Sequence, residues 1–227
     1  MNRRTIRRLG GLFCLVYLAL LAPRTVAGAD TATITYRRVF QGSSPEFIEI
    51  KINDAGTASY DIRQLSEDSQ PQGFEVGSAV RAKIFQLAMD LRNFDGADLD
   101  VHRRIAFLGE KTFRYEKGAE VHETKFNYTI DHTATQLLVI FDGLSQQQQD
   151  LLSLEQRLKY DRLGVNDALR QFEDDLGRRT LPEPERLLGV LDRVAADARV
   201  VEVARQRARA LAERIRASQD SAAPQNR

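Results

Sequence analysis

The stretch 41-QGSSPEFIEIKINDAGTASYDI-62 carries the alternation on which the fold reading rests. Ile48, Ile50 and Ile52 share one parity, and Phe47, Glu49 and Lys51 take the other. Asn53-Asp54-Ala55-Gly56 is turn chemistry, after which Ala58, Tyr60 and Ile62 resume the period of two. Two half-buried strands joined by a short Gly-containing connection make a β-hairpin. Gly42-Ser43-Ser44 would suit an anion only if the turn fed the N-terminus of a helix, whose amides then face the ligand. Pro45 leads into a strand instead, so the segment reads as a loop entering the hairpin.

Working outward, Ile34 and Tyr36 open an earlier strand. A polar loop over 66–73 precedes an amphipathic helix in which Val80, Ile84, Leu87, Leu91 and Phe94 are spaced four, three, four, three. Ser78 is its expected N-cap and Asn93-Phe94-Asp95-Gly96 its end. Alternation returns in Ile105 and Phe107, then in Phe113 and Tyr115. After a tight turn at Lys117-Gly118 it continues through Thr124, Phe126, Tyr128 and Ile130. Three strands, a helix and about three more strands predict an α+β unit over 30–132, an antiparallel sheet with one helix packed on it.

From Thr133 the period becomes helical. Leu137, Phe141, Leu144, Leu151, Leu154 and Leu158 keep one stride, with capping boxes at Thr133/Gln136 and Ser145/Gln148. One long helix over 134–161 fits that stride and makes the run 146–149, QQQQ, a solvated face. A last strand over 136–141, followed by a helix from Ser145, would suit Val139 and Ile140. Further stripes follow: Val165, Leu169, Phe172 and Leu176, then Leu187, Leu191, Val194 and Ala198, then Val201, Ala204, Ala208, Leu211 and Ile215. Thr180 and Glu183 are expected to cap the second of these, with Pro182 in its first turn. Narrow stripes need partner helices, which predicts an all-helical C-terminal bundle within 133–217. Residues 218–227 have no apolar period and are expected to be a frayed tail.

The N-terminus adds a destination. Residues 1–9 carry four arginines and no acid, residues 9–22 are a 14-residue apolar run, and Ala27-Gly28-Ala29 follows. A basic head, a short apolar middle and an A-x-A end form a secretory signal peptide. A membrane span needs ~20 apolar residues, so cleavage is expected after Ala29, with Ala27 as the alternative. Arg3-Arg4 leaves Sec and twin-arginine export both open. Cys14 is the sole cysteine, lies in the apolar run and lacks a lipoprotein-type Leu-x-x-Cys context. A cleaved chain therefore has no disulfide, thiolate nucleophile or Cys-ligated zinc. Cleavage also leaves 28 Lys+Arg against 32 Asp+Glu, a net of −4, which does not suggest a nucleic-acid or anionic-membrane binder.

Residues 187–215, LLGVLDRVAADARVVEVARQRARALAERI, resemble one helix pair of a HEAT-type repeat: a Leu-rich first helix, Asp197 near the turn, Val200/Val201, Ala204-Arg205 and small residues before Leu211. Solenoids stack three or more such units, and at most two helix pairs are present. Ser44-Pro45-Glu46, Glu49-Ile50-Lys51-Ile52, Gly56 and Tyr60, together with Leu154-Glu155 and Tyr160-Asp161-Arg162-Leu163-Gly164-Val165, resemble exported bacterial proteins of unassigned function. That resemblance implies no catalytic residues.

The chemistry-bearing residues are scattered. His102, His122 and His132 have no i, i+4 pair, and His122-Glu123-Thr124 is not a zinc-helix motif. Asp95-Gly96-Ala97-Asp98-Leu99-Asp100 is acidic, but the twelfth position from Asp95 is Ala106 where a calcium loop of the EF type needs Glu. Gly-x-Ser-x-Gly, Ser-x-x-Lys and Walker motifs are missing from the sequence. Arg205, Arg209 and Arg216 fall on one side of the last helix and Arg207 and Arg214 nearly opposite, so they do not gather into a nucleic-acid face. Asn127-Tyr128-Thr129 is a glycosylation sequon placed inside an expected strand. No catalytic, cofactor-binding or metal-ligating residue is singled out. The expectation is a non-catalytic binding or protein-interaction module of the cell envelope, with a protein partner and no cofactor. The alternatives are an envelope hydrolase using dispersed carboxylates and a homo-oligomeric helical scaffold.

Overall fold

The computed structural model describes residues 30–222. The signal-peptide reading falls on residues 1–29, outside the described residues. Among the described residues no helix is long and apolar enough to cross a membrane. Strands β1 (Thr33–Val39), β2 (Phe47–Asn53), β3 (Thr57–Arg63) and β4 (Gln72–Glu75) precede helix α1 (Ser78–Asp90). Strands β5 (Glu110–Lys117) and β6 (Glu120–Phe126) follow it. The six strands form one sheet in the order β4-β3-β2-β1-β5-β6, antiparallel throughout. The expected hairpin is β2–β3, with Ile50 opposite Tyr60 and Ile52 opposite Ala58. Helices α2 (His132–Tyr160), α3 (Val165–Arg178), α4 (Leu188–Ala196) and α5 (Glu202–Ala222) complete the α+β architecture.

Period-two alternation puts Ile34, Tyr36, Ile48, Ile50, Ile52 and Phe113 on one face, where all are buried. That face is covered by α1, through Ile84, Leu87 and Ala88, and by the first half of α2, through Ala134, Leu137, Phe141 and Leu144. Aromatic rings join the layers: Tyr36 stacks on Phe141 at 5.2 Å, and Phe94 on Phe113 at 5.3 Å. The opposite face is charged, with Arg37–Glu49–Lys51 and Glu116–Arg114–Glu123 ion pairs running across the strands. One dry and one solvated face is the ordinary condition of an antiparallel sheet.

The single-helix reading of 134–161 is the observed one. Asp131 rather than Thr133 caps α2, its carboxylate accepting from Ala134 N at 2.8 Å. The second half of α2 belongs to another core, in which Leu154, Leu169, Phe172, Leu191, Val194, Leu211 and Ile215 are buried. The helical stripes read from the sequence are thus covered within the chain, except at Ala198 and Val201, which are exposed in the connection between α4 and α5. Residues 187–215 fall on α4 and most of α5.

Several expectations are corrected. No strand forms at Ile105 and Phe107, because neighbours in the sheet are already supplied and pairing with β1 begins only at Glu110. β6 ends at Phe126, so Tyr128 and Ile130 lie beyond it. The loop over 66–73 contains the start of β4, whose lone apolar residue, Phe74, packs edge-on to Tyr60. α1 stops at Asp90, and Arg92, Asn93 and Phe94 follow at positive φ. Gly77, not Ser78, is its N-cap. Within the run 146–149, Gln147 and Gln148 are buried, not solvated, because α2 is enclosed there by the segment 180–183. Thr180 and Glu183 do not cap α4, whose N-cap is Leu187; Glu183 instead precedes a 3-10 turn, Pro184–Leu187, without a side-chain capping bond. α5 continues through residue 222, into the expected tail.

Gly143 was the weak point of a continuous α2, and its role is steric. A Cβ there would run into the Thr180 carbonyl oxygen and the Pro182 ring. Gly143→Ala is therefore expected to destabilise by about 1–3 kcal/mol, as overpacking does, despite alanine's better helix propensity. Urea denaturation checks this; a stabilised variant would show that 180–182 does not press on α2.

Candidate interaction surface

The irregular segment 95–109 leaves the end of α1 and returns to the sheet at β5. Residues 102–108 are exposed without a break. They include Ile105, Phe107 and Leu108, with Phe107 59% exposed. Beside them runs the connection from β6 to α2, where Tyr128 and Ile130 are exposed, Ile130 at 72%. Five large apolar side chains thus come from two adjoining segments. A concentration of exposed apolar surface marks an interaction site more than single exposed residues do.

The ledge is held by polar groups underneath. Asn127 Oδ1 accepts from Leu108 N at 2.7 Å, and its Nδ2 donates to Ala106 O at 3.0 Å. The Lys111 ammonium donates to the carbonyls of Leu108, Gly109 and Asn127 at 3.1, 3.2 and 2.8 Å. Those three acceptors match its three protons. Partial burial holds its pKa below the ordinary lysine value. Val101 N donates to Tyr128 O at 3.1 Å, and Thr124 Oγ1 to Ala97 O at 2.7 Å. Gly109 sits at φ +90°, where a Cβ would lie 2.8 Å from that of Phe40, so only glycine suits this return to the sheet. Phe40 in turn meets Phe107 edge-on at 5.9 Å.

The residues weighed from the sequence fall elsewhere or do other work. Gly42-Ser43-Ser44 is the β1–β2 turn, and the Gly42 amide is taken by the chain's own Glu46 carboxylate at 2.7 Å. His102 is exposed and meets Asp98 at 2.8 Å; this hydrogen bond lowers the Asp98 pKa and raises that of His102. His122 stacks on Tyr115 and His132 is the first residue of α2. Asp100 Oδ1 accepts from Val101 N at 3.0 Å. Among the described residues no three His, Cys, Asp or Glu side chains are grouped to hold a metal ion. Arg205 and Arg209 pair with Glu202, Arg207 with Glu173 and Arg216 with Asp192, so these arginines brace α5. Asn127, met in the sequence as a sequon, is the staple of the ledge. Lys111 carried no sequence signal.

Two buried carboxyls among the described residues feel each other's charge. Asp150 on α2 and Asp175 on α3 are only 5% and 4% exposed. Burial, with the charge of Asp175 adding to it, pushes the Asp150 carboxyl up to about 7 against the hydrogen bond from Gln146. Gln171 donates to Asp175 at 2.8 Å. Both carboxyls are walled in by helices, out of reach of a substrate. The sequence matches no family model and no curated protein.

Proposed function

We propose that this chain is a non-catalytic binding module of the cell envelope, exported with its leader removed after Ala29, that docks a partner protein through the 105–108 and 128–130 ledge. The observation that carries the reading is the ledge itself: five exposed apolar side chains on backbone fixed from beneath by Asn127 and Lys111. Fixed backbone favours docking because little ordering entropy is lost on association.

A hydrolase reading has Asp150 and Asp175 in its favour, since acid–base hydrolysis uses a pair of carboxyls. Their burial weighs against it. A helical homo-oligomer would need free apolar stripes, and those of α3, α4 and α5 are covered internally. The test is capture from host envelope extract by the chain over 30–227, compared with its Phe107→Ser/Ile130→Ser variant. Both side chains are exposed, so folding is retained while specific capture falls at least about tenfold, the loss of one or two anchors. Equal capture by both proteins would reject the ledge. Turnover in a broad hydrolase screen that Asp150→Asn abolishes would replace the module with the enzyme.

A further inference from the structure

We infer that the partner at this ledge is a second copy of the chain, related by a two-fold axis; this rests on the reading of the ledge as a docking surface. The support is the order of charge along 95–109. Asp95 and Asp98 are exposed, Asp98 holding the His102 ring at 2.8 Å, and they precede Arg103 and Arg104, also exposed, with the apolar Ile105, Phe107 and Leu108 following directly. Among the described residues neither arginine forms an ion pair, and no acid occurs between 101 and 109. Across a two-fold axis, residue i of one copy meets residue j of the other, and j meets i. A patch with an acidic half and a basic half complements itself in that arrangement. Tyr128, whose backbone bonds to Val101 and Asp100, lies where the two halves meet and where the axis would pass. A lipid surface is a poorer match, because anionic headgroups would be repelled by the acids of the same segment and by a net charge of −4 after leader removal. A foreign protein would need to reproduce both halves.

The test is sedimentation equilibrium of the purified chain over 30–227, from about 1 μM to about 1 mM. Reversible monomer–dimer association is expected. Arg103→Asp/Arg104→Asp alone and Asp95→Arg/Asp98→Arg alone should each weaken it at least tenfold, because each puts like charges opposite one another. An equimolar mixture of the two variants should dimerise again, since an all-acid patch then faces an all-basic one. Unchanged circular dichroism of each variant excludes misfolding. A monomer at every concentration, or a dimer indifferent to both swaps, overturns the inference. So does a monomer that binds vesicles of phosphatidylglycerol. If the chain is monomeric and Phe107→Ser/Ile130→Ser still loses capture of a host protein, the ledge stands and its partner is foreign.

Discussion

Replacing Glu183 with alanine is expected to lower stability by about 1–3 kcal/mol, the usual consequence of leaving a buried hydrogen-bonding group without its partner. Its side chain is 6% exposed. One oxygen accepts from Gly77 N, at the start of α1, at 2.6 Å; the other accepts from Arg186 Nε at 2.7 Å. Its own backbone N–H donates to Gln147 Oε1 at 3.0 Å. Glu183 therefore ties the first turn of α1, the middle of α2 and the approach to α4 to one another, across the place where the sheet core gives way to the helical core. Alanine leaves the half-buried Gly77 amide without its acceptor, which costs more than the hydrogen bond itself contributes, while the Arg186 guanidinium, 32% exposed, can turn to water. A fall in melting temperature of roughly 2–12 °C should accompany the change. A drop of under about 1 kcal/mol in urea denaturation would mean that water satisfies these groups and that the junction is open.

Stability should fall as pH rises from about 4 to 7, and Asp150 is the reason. Unfolded, its carboxyl titrates near 3.8; in the native protein it keeps its proton to about 7. Between those values the native state binds more protons than the unfolded state, so stability decreases with rising pH. The contribution is fully present below about 4 and lost above about 7. Its full size is about 4 kcal/mol, taken as the pKa difference at 1.36 kcal/mol per unit. Asp150 Oδ2 has no hydrogen-bond partner, while Oδ1 accepts from Gln146 at 3.0 Å. Asp150→Asn imitates the protonated form. It should match the parent at about pH 3.5, exceed it by about 1–2 kcal/mol at pH 5 and by about 4 kcal/mol at pH 8. Parallel pH profiles for the two proteins would show that the carboxyl is ionised and satisfied in the native state.

The alternation of Ile48, Ile50 and Ile52, and the stride from Leu137 to Leu158, made the sheet and the long helix legible, because one buried face imposes one period. The same rule misplaced Ile105 and Phe107. They alternate like strand residues but face water, and alternation alone does not say whether the apolar parity finds a core. β4 escaped notice for the opposite reason: Gln72-Gly73-Phe74-Glu75 is held by pairing with β3 and offers almost no pattern. The burial of Gln147 and the reach of Glu183 to Gly77, 106 residues away, depend on tertiary contact and leave no local trace. The ledge was half visible. Its apolar residues were read, with the wrong structure attached, whereas the staples Asn127 and Lys111 act through backbone carbonyls and amides that any sequence supplies.

The central claim is that the ledge meets a partner, and photo-crosslinking tests it most directly. A photoreactive side chain would replace Phe107, and separately Gln156 on the exposed flank of α2, in the protein expressed in its own host. Irradiation should give a discrete adduct from position 107 and none from position 156, whether the adduct is a second copy or another protein. Adducts from 156 with none from 107 would contradict the account and move the docking surface to the helices.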